Sequence, residues 1–372
     1  MTTTVTAAVS RGVGEPLDVR PIDLVSVGPS QVRVRIAASG VCHSDLSVHN
    51  GSLPFVFPTV LGHEGAGVVE EVGSDVRRVK PGDHVVLTWI PACRECFWCL
   101  AGQPMLCTEG LTEALGSPYA TLDGEPLIRG LGIATFAEQT VVPERSVIRI
   151  NEKVPLEQAA LIGCALSTGV GAVWNTARVA PGSTVAVVGC GGIGLSVLQG
   201  ALGAGASAVI AVDRVEGRLK AAIEFGATST VDSSEHDAVE AVRDLTDGRG
   251  VDYAFEAVGK SQTIRQAFEM TRRGGTTVVV GAGSLTDEVK FNAMELFMDS
   301  KSILGCIYGS TDPDRDFPVL AEQLARGRID AASMVTRKIG LTDIENAFSA
   351  MEAGEVTRSL VVFDDEAGVG GS

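Results

Sequence analysis

The chain has 372 residues, of which 45% are hydrophobic and 20% are charged, and its formal net charge is −16. This length and composition predict an ordinary globular protein of two or three domains with ample hydrophobic cores. The strong negative charge argues against a general affinity for nucleic acid or for anionic membranes.

The N-terminal stretch MTTTVTAAVSRGVGEP has no basic segment followed by an apolar run. We therefore predict no secretory signal, a cytoplasmic location and reduced cysteines. Residues 179–212 carry no charge, which is long enough to resemble a membrane span. This stretch contains eight glycines, however, which favours tight turns between short buried elements. The sequence predicts no membrane association.

The first third of the chain predicts a mostly antiparallel β domain. Apolar and polar residues alternate in 31–36 (QVRVRI) and in 67–72 (GVVEEV), and glycine and proline are frequent around them. A period of two is the pattern of half-buried strands. The last sixty residues mix helices with a closing strand at 360–363, and we expect them to fold back onto this domain.

Four of the eight cysteines are clustered, namely Cys93, Cys96, Cys99 and Cys107. Four thiolates can close a tetrahedral shell around zinc with no vacant position, so this spacing predicts a structural zinc site. An iron–sulfur cluster is one alternative, although its fourth cysteine usually lies closer and precedes proline, whereas Cys107 precedes Thr108. A disulfide pair is the other alternative.

Candidates for a catalytic metal site are scattered along the chain. Cys42 lies at the end of a predicted strand, and His63, which we place on another strand, is one of only five histidines. A third ligand is sought among the lone cysteines Cys164, Cys190 and Cys306. Cys42, His63 and Cys164 would give a Cys2His zinc site with an open fourth position. Spacing alone does not establish this set, because each cysteine taken singly is better explained as a buried structural residue.

The middle third alternates short β-branched runs with helical patterns, which is typical of a parallel, doubly wound sheet. Six strands are predicted, at 184–188, 208–212, 228–231, 252–255, 276–280 and 302–305. Helices are predicted between them at 216–225, 238–245 and 262–271. Six strands would complete a sheet of the dinucleotide-binding kind.

The first βα turn of this region carries a nucleotide-binding glycine pattern. Gly189, Gly191 and Gly194 form the triplet, with Gly192 inside it. Such glycines permit a tight turn and close backbone approach, and the helix N-terminus receives the pyrophosphate. The next strand ends at Asp213, where a carboxylate binds the ribose hydroxyls and repels a 2′-phosphate. NAD is therefore predicted, although an arginine beside this aspartate could serve a phosphate.

Together these motifs resemble the zinc-dependent medium-chain alcohol dehydrogenases over almost the whole chain. The matching segments are CHSD at 42–45, GHEGAGVVEEVG at 62–73, PGDHV at 81–85, the four-cysteine segment, LIGCALSTGVGA at 161–172, GCGGIG at 189–194 and Asp213. The resemblance implies an α/β fold with two domains. They are a mainly β (GroES-like) catalytic domain, 1–165 and 309–372, with a zinc lobe at 93–107, and a doubly wound Rossmann domain with a six-stranded parallel sheet, 166–308.

The resemblance also assigns roles to individual residues. Cys42, His63 and Cys164 match the ligands of a catalytic zinc, and Asp45 matches the carboxylate that orients the histidine. The four clustered cysteines match the ligands of a structural zinc. Glu64 matches an acidic residue near the catalytic metal whose simplest role is to balance charge.

Further positions match the proton relay and the cofactor contacts of the family. Ser44 matches the hydroxyl that begins the relay; the usual relay histidine is Ser47 here, and His49 is the candidate to replace it. The residues that match cofactor contacts are His43 and Arg358 for the pyrophosphate, Arg218 for the adenosine ribose, and Thr168 and Ile193 for the nicotinamide.

The resemblance implies reversible oxidation of an alcohol with zinc and NAD. Relatives that oxidise the thiol adduct of formaldehyde use charged groups near the pocket mouth, whereas 51–57 (GSLPFVF) has no charge. Leu53, Phe55 and Trp89 instead predict an apolar pocket for a hydrophobic or aromatic primary alcohol. The alternatives are a nicotinoprotein with tightly bound NAD, a thiol-dependent formaldehyde dehydrogenase and a non-catalytic relative. The long segment between Cys107 and Phe136 resembles that of dimeric members, so we expect a homodimer.

Overall fold

A computed structural model describes residues 3–116 and 118–363. The chain forms two compact units. The first contains the residues up to Cys164 and those from Asp312 onward, and the second is Ala165–Thr311.

In chain order, the described strands are β1 (Thr3–Ser10), β2 (Asp18–Leu24), β3 (Gln31–Gly40), β4 (Thr59–Val60), β5 (Glu64–Val72), β6 (His84–Leu87), β7 (Pro118–Leu122), β8 (Glu125–Arg129), β9 (Gln139–Pro143), β10 (Val147–Arg149), β11 (Thr184–Val188), β12 (Ala208–Asp213), β13 (Ser229–Asp232), β14 (Val251–Glu256), β15 (Thr271–Val279), β16 (Ser302–Gly305), β17 (Arg337–Ile339) and β18 (Ser359–Val362). The α-helices are α1 (His43–His49), α2 (Phe97–Leu100), α3 (Thr108–Gly116), α4 (Leu156–Ala160), α5 (Ala165–Gly171), α6 (Gly192–Gly203), α7 (Glu216–Glu224), α8 (Ala238–Asp244), α9 (Ser261–Met270), α10 (Ala293–Asp299), α11 (Pro313–Ala325) and α12 (Ile344–Ala353).

The first unit is built on two β systems. Strands β1, β2, β7, β8 and β4 close a small barrel, and a second sheet has the order β10-β6-β5-β3-β18-β17, with β9 paired to β3. Most pairings are antiparallel, as the alternation predicted. Strand β18 pairs antiparallel with β3, so the C-terminal segment does return to this unit.

The pairing of β3 with β5 positions the site. Strand β3 alternates partly buried and buried residues and then buries three in a row, from Ala38 to Gly40. These three pair with Ala66, Gly65 and Glu64 at the buried start of β5. Cys42 follows the end of β3 and His63 precedes the start of β5, so this register brings the two side chains to one place in the interior. His63 therefore lies in the loop before β5 and not on a strand as expected.

The second unit is a Rossmann domain. Its six strands are parallel, in the order β13-β12-β11-β14-β15-β16, which is the nucleotide-binding order with β11 as the first strand. The central strand β11 is almost wholly buried, as expected of a parallel strand covered on both faces. All six predicted strands are present. The longest shift is in β15, which begins five residues before the predicted start at Thr276.

Within the described ranges, no single helix is long and apolar enough to cross a membrane. The neighbouring helices 156–163 and 165–177 meet that criterion only when they are counted together.

Candidate active site and metal centres

Four buried side chains of the first unit converge on one point. They are Cys42, His63, Glu64 and Cys164, whose ligand atoms all lie within 4.8 Å of one another. Three of them are the expected ligands, and the fourth, Glu64, adds a carboxylate that sequence reasoning had placed only near the metal. Two thiols, an imidazole and a carboxylate are the donor types that zinc prefers, so this set fits a zinc ion.

Asp45 organises the segments that carry two of these ligands. Its Oδ1 lies 3.1 Å from Nδ1 of His63 and accepts a hydrogen bond from the backbone N–H of Gly62 at 2.9 Å. Its Oδ2 accepts the backbone N–H of Cys42 at 3.3 Å. A carboxylate on Nδ1 leaves Nε2 of His63 free to face a metal, which is the arrangement by which outer carboxylates orient histidine ligands.

Arg358 and Glu64 form a buried ion pair beside the cluster. The guanidinium lies 3.0 Å from Oε1 of Glu64 and also donates to the carbonyl of Val41 at 3.0 Å. Burial raises the pKa of Glu64 to about 8, and the positive charge of Arg358 opposes that rise. Arg358, which the family resemblance assigns to the pyrophosphate, lies in the first unit beside the carboxyl group of Glu64 and braces the residue before Cys42.

The two thiols of the cluster share a hydrogen bond. A hydrogen bond from the Cys164 thiol lowers the pKa of Cys42, and the same bond raises the pKa of Cys164. Two sulfurs and a carboxylate packed this closely repel one another when all are ionised, and a divalent cation removes that repulsion. The electrostatics of the cluster therefore fit a bound cation.

Helix α1 places the relay candidates Ser44 and His49. Ser44 lies in the first turn, partly exposed, two residues after Cys42. His49 ends the helix and its ring packs on Phe348, with ring centroids 5.5 Å apart. Five residues along a helix correspond to about 140° around its axis, so Ser44 and His49 leave the helix on different sides. No hydrogen bond between them occurs in the described structure.

The predicted pocket residues divide into two groups. Trp89 packs edge-on against His63, with ring centroids 6.1 Å apart and an interplanar angle of 79°. Leu53 is 39% exposed, and the nearby Val56, which was not among the predicted pocket residues, is 65% exposed. Phe55, by contrast, packs partly buried against the barrel core. Trp89 is thus beside the metal cluster, and Phe55 contributes mainly to the core.

The four clustered cysteines form a second centre. The sulfurs of Cys93, Cys96, Cys99 and Cys107 lie within 4.8 Å of one another, and the described cysteines are all free. Two of the sulfur–sulfur distances are 3.9 Å. A disulfide needs about 2.05 Å, whereas a tetrahedron of zinc–sulfur bonds of about 2.3 Å places its sulfurs about 3.8 Å apart. This geometry suits one zinc ion and argues against the disulfide alternative.

Backbone amides point at the same sulfurs. The N–H groups of Cys96 and Gly110 donate to Cys93 and Cys107, each at 3.3 Å. A methyl group on Gly110 would lie 1.6 Å from the carbonyl oxygen of Pro91, so only glycine fits there. Amide donors disperse the negative charge of thiolates, which favours a tetrathiolate site.

The lobe that carries these cysteines is fixed to α11 by an ionic cluster. Arg94 donates to Asp312 at 2.9 Å and to Asp314 at 3.2 Å, and Arg78 pairs with Asp314 as well. Asp312 also caps α11 through the amide of Asp314. Sequence reasoning missed this contact, because more than two hundred residues separate the partners.

In the second unit, the glycine turn between β11 and α6 has the form that a pyrophosphate requires. Gly189 has φ +92°, and a methyl group on Gly194 would lie 1.8 Å from the carbonyl oxygen of Gly189. A methyl group on Gly191 would meet nothing within 4 Å. The fold therefore excludes larger residues at Gly189 and Gly194. Gly191, by contrast, presents open backbone to a ligand at the N-terminus of α6. This turn fits a dinucleotide.

Asp213 joins the turn to the end of β12. It accepts the N–H of Cys190 at 2.7 Å, of Arg214 at 2.8 Å and of Val215 at 3.0 Å. The guanidinium of Arg218 lies 4.0 Å away. Oδ1 accepts the N–H groups of Arg214 and Val215, and Oδ2 accepts only that of Cys190, so Oδ2 keeps one lone pair that can accept a ribose hydroxyl.

Helix α5 brings the nicotinamide candidates together. A methyl group on Gly169 would lie 2.6 Å from the carbonyl oxygen of Ile193, so the residues around Thr168 pack directly on the first turn of α6.

Glu256, at the end of β14, is a further residue that sequence reasoning missed. It is fully buried and holds the next loop through the N–H groups of Val258 at 2.9 Å and Gly259 at 2.8 Å. An acidic residue that ends the apolar run YAFE was the only available signal.

Comparison with known proteins gives family matches over most of the chain. The sequence pattern of the alcohol dehydrogenase GroES-like domain matches residues 28–152, and that of the zinc-binding dehydrogenases matches 192–326. The chain is 37% identical to an S-(hydroxymethyl)glutathione dehydrogenase of Paracoccus denitrificans over 96% of its own length and 99% of the relative's.

Two solved structures are similar over nearly the whole chain. An alcohol dehydrogenase zinc-binding domain protein from Burkholderia ambifaria has a TM-score of 0.93 and 35% identity, covering 98% of this chain and 100% of that one. The benzyl alcohol dehydrogenase of Acinetobacter calcoaceticus has a TM-score of 0.91 and 31% identity, covering 97% and 100%.

A GroES-like unit with a buried Cys2His cluster, joined in one chain to a Rossmann unit, defines a zinc- and NAD-dependent oxidoreductase. The chain belongs to the zinc-dependent medium-chain alcohol dehydrogenase family. Members of this family act on small alcohols or aldehydes.

Proposed function

We propose that the protein oxidises primary alcohols with an apolar chain or ring to aldehydes, with NAD as the hydride acceptor. The observation that carries this proposal is the indole of Trp89, which packs edge-on against the ligand His63 and would offer a bound substrate an apolar wall beside the cluster. The uncharged segment 51–57, with Leu53 and Val56 exposed, supports an apolar mouth.

The residues of the first unit prepare the reaction. When bound, zinc supplies Lewis-acid chemistry that makes an alcohol hydroxyl more acidic, and NAD accepts the hydride. Asp45 fixes the orientation and tautomer of His63. Ser44 offers its Oγ to receive the alcohol proton and pass it outward. Trp89 excludes water from one side and orients the carbon chain, so that the reacting carbon is held in one pose.

A second candidate substrate is S-(hydroxymethyl)glutathione. It is favoured by the names of the relatives, since several proteins that are 37–38% identical to this chain over about 95% of its length are S-(hydroxymethyl)glutathione dehydrogenases. Such an adduct carries two carboxylates and an amine, and a site that binds it needs charged partners. The relatives thus support the adduct, and the uncharged segment 51–57 supports the apolar alcohol.

Steady-state kinetics distinguish the two candidates. We expect kcat/KM to rise by about fourfold for each methylene that becomes buried, from ethanol through butanol to hexanol, and to be high for benzyl alcohol. The variant Leu53→Asp should lower kcat/KM for hexanol while leaving ethanol nearly unchanged. A kcat/KM that is highest for S-(hydroxymethyl)glutathione would overturn the apolar assignment in favour of the adduct.

We also propose that the chain works as a homodimer. Strand β16 lies at the edge of the Rossmann sheet, and α10 before it exposes Met294, Phe297 and Met298 at 65%, 76% and 55%. An open edge strand beside an apolar helix face favours association with a second copy. Light scattering after gel filtration should give twice the chain mass, and Phe297→Asp should weaken that state. A wild-type monomer at micromolar concentration would contradict this proposal.

A further inference from the structure

Two buried hydroxyls lie behind the catalytic cluster. The Oγ of Ser39 and the Oγ1 of Thr135 are 2.6 Å apart, and both residues are fully buried. Ser39 lies near the end of β3, three residues before Cys42. Thr135 belongs to the loop between β8 and β9, far away in sequence.

The loop around Thr135 holds the segment that carries His63. The backbone N–H of Thr135 donates to the carbonyl of Gly62 at 3.0 Å, and that of Phe136 donates to Leu61 at 2.9 Å. The N–H of Gly62 is bound by Asp45. The backbone before His63 is therefore held from both sides, by Asp45 through its N–H and by Thr135 through its carbonyl.

Packing adds a second restraint on the same segment. A methyl group on Gly62 would lie 2.6 Å from Oγ1 of Thr135, and one on Gly65 would lie 2.4 Å from Cγ2 of Thr135. Thr135 thus touches the chain immediately before and immediately after His63 and Glu64. No larger residue fits at either glycine without moving it.

The loop that delivers Thr135 is strained. Leu131 and Ala134 are buried non-glycine residues with φ of +47° and +50°. Such conformations persist only where the surroundings impose them, and they concentrate at functional sites. The strain is therefore consistent with a loop whose position matters to the site.

We infer that the Ser39–Thr135 hydroxyl pair is a positioning device for the catalytic metal centre. It joins the strand that leads into Cys42 to the loop that holds the His63 segment, and so it sets the separation of two ligands that come from different parts of the chain. Neither residue belongs to the four donors of the cluster, and both act through the backbone that carries the ligands.

Metal retention tests this inference. Thr135→Val keeps the side-chain shape and removes the hydroxyl, Ser39→Ala removes its partner, and Thr135→Ser restores a hydroxyl at the same position. The matched control is Thr277→Val, which breaks a similar buried pair, Thr271–Thr277 at 3.0 Å, in the Rossmann unit, whereas both metal centres belong to the first unit. The zinc of the cysteine lobe is an internal control in every sample.

Two readouts separate positioning from general stability. Outer groups that hold metal ligands commonly change metal affinity by 10- to 100-fold, and we expect release of the catalytic zinc to a chelator to be about tenfold faster in Thr135→Val and Ser39→Ala. The lobe zinc should leave at the wild-type rate. With cobalt in the catalytic site, the visible absorption bands should shift in both variants, whereas Thr135→Ser and Thr277→Val should match the wild type.

Two results would contradict the inference. If Thr135→Val and Ser39→Ala retain the catalytic zinc as well as Thr277→Val does, with an unchanged cobalt spectrum, the inference is wrong. Zinc loss in Thr135→Ser equal to that in Thr135→Val would also overturn it, because the hydroxyl would then have no part. None of these measurements depends on which alcohol is the substrate.

Discussion

Replacing Asp213 by asparagine should change the choice of cofactor. The carboxylate accepts three backbone N–H groups of the turn and of the following loop, at 2.7–3.0 Å, and retains one lone pair, on Oδ2, for a ribose hydroxyl. Asparagine has only one acceptor oxygen. If that oxygen serves the two N–H groups of Arg214 and Val215, the amide NH2 must face the N–H of Cys190, and the glycine turn loses its bond.

The magnitude follows from the hydrogen bonds that are lost. A hydrogen bond to a charged group contributes about 1.5–3 kcal/mol, so kcat/KM for NAD should fall by about ten- to hundredfold. Removal of the negative charge also relieves repulsion of a 2′-phosphate, and it leaves Arg218, now 4.0 Å from the carboxylate, available to that phosphate. The efficiency with NADP should therefore rise or stay constant while that with NAD falls.

The assay is steady-state kinetics with both cofactors at a saturating alcohol concentration. Asp232→Asn is the matched control, because Asp232 ends the neighbouring strand in register with Asp213 and binds only its own loop through Ser234. An unchanged NAD-to-NADP ratio in Asp213→Asn, or an equal change in Asp232→Asn, would refute this account of cofactor selection.

Three further predictions concern the first unit. Ser44→Ala should lower kcat by about 10²–10⁴-fold. His49→Ala should leave kcat within about threefold and should lower the melting temperature by about 2–4 °C, because the ring of His49 packs on Phe348. If His49→Ala instead loses most of its kcat and added imidazole restores it, His49 belongs to the relay. Arg94→Ala should lower the free energy of unfolding of this unit by roughly 1 kcal/mol at low salt and by less at high salt, since the partners of Arg94 are partly exposed. The control is Arg145→Ala, because Arg145 has a single pair, with Glu113 at 3.4 Å, and calorimetry should show a smaller destabilisation for it. Trp89→Phe should raise kcat/KM for branched alcohols by about tenfold relative to hexanol, and equal changes for both substrates would argue against Trp89 as a pocket wall.

Local sequence patterns predict much of the fold. The Rossmann strands are continuous buried apolar runs, and their glycine turn and terminal aspartate have fixed spacings, so sequence alone predicted them to within a few residues. The cysteine lobe was also predicted from sequence, because its four cysteines lie within one short segment.

The catalytic cluster was different. Cys42, His63 and Cys164 are brought together by the register of β3 with β5, which no local pattern encodes, and their assignment from sequence depended on family resemblance. Glu64 was expected near the metal, but its role as a fourth donor depends on the position of its side chain, which sequence does not give. The Arg94–Asp312 pair and the Ser39–Thr135 pair were missed because each joins segments that are distant in sequence. The expected position of His63 on a strand was wrong because the left-handed Gly62, with φ of +93°, places His63 in the loop before β5.

The most direct test of the account is the metal content of the wild-type protein and of two serine variants, Cys42→Ser and Cys107→Ser, measured together with visible absorption. We expect two zinc ions per chain in a colourless wild-type protein and one in each variant, with alcohol oxidation abolished in Cys42→Ser and retained per folded molecule in Cys107→Ser. Iron with visible absorbance, a single zinc in the wild type, or full activity in Cys42→Ser would contradict the assignment of separate catalytic and structural centres.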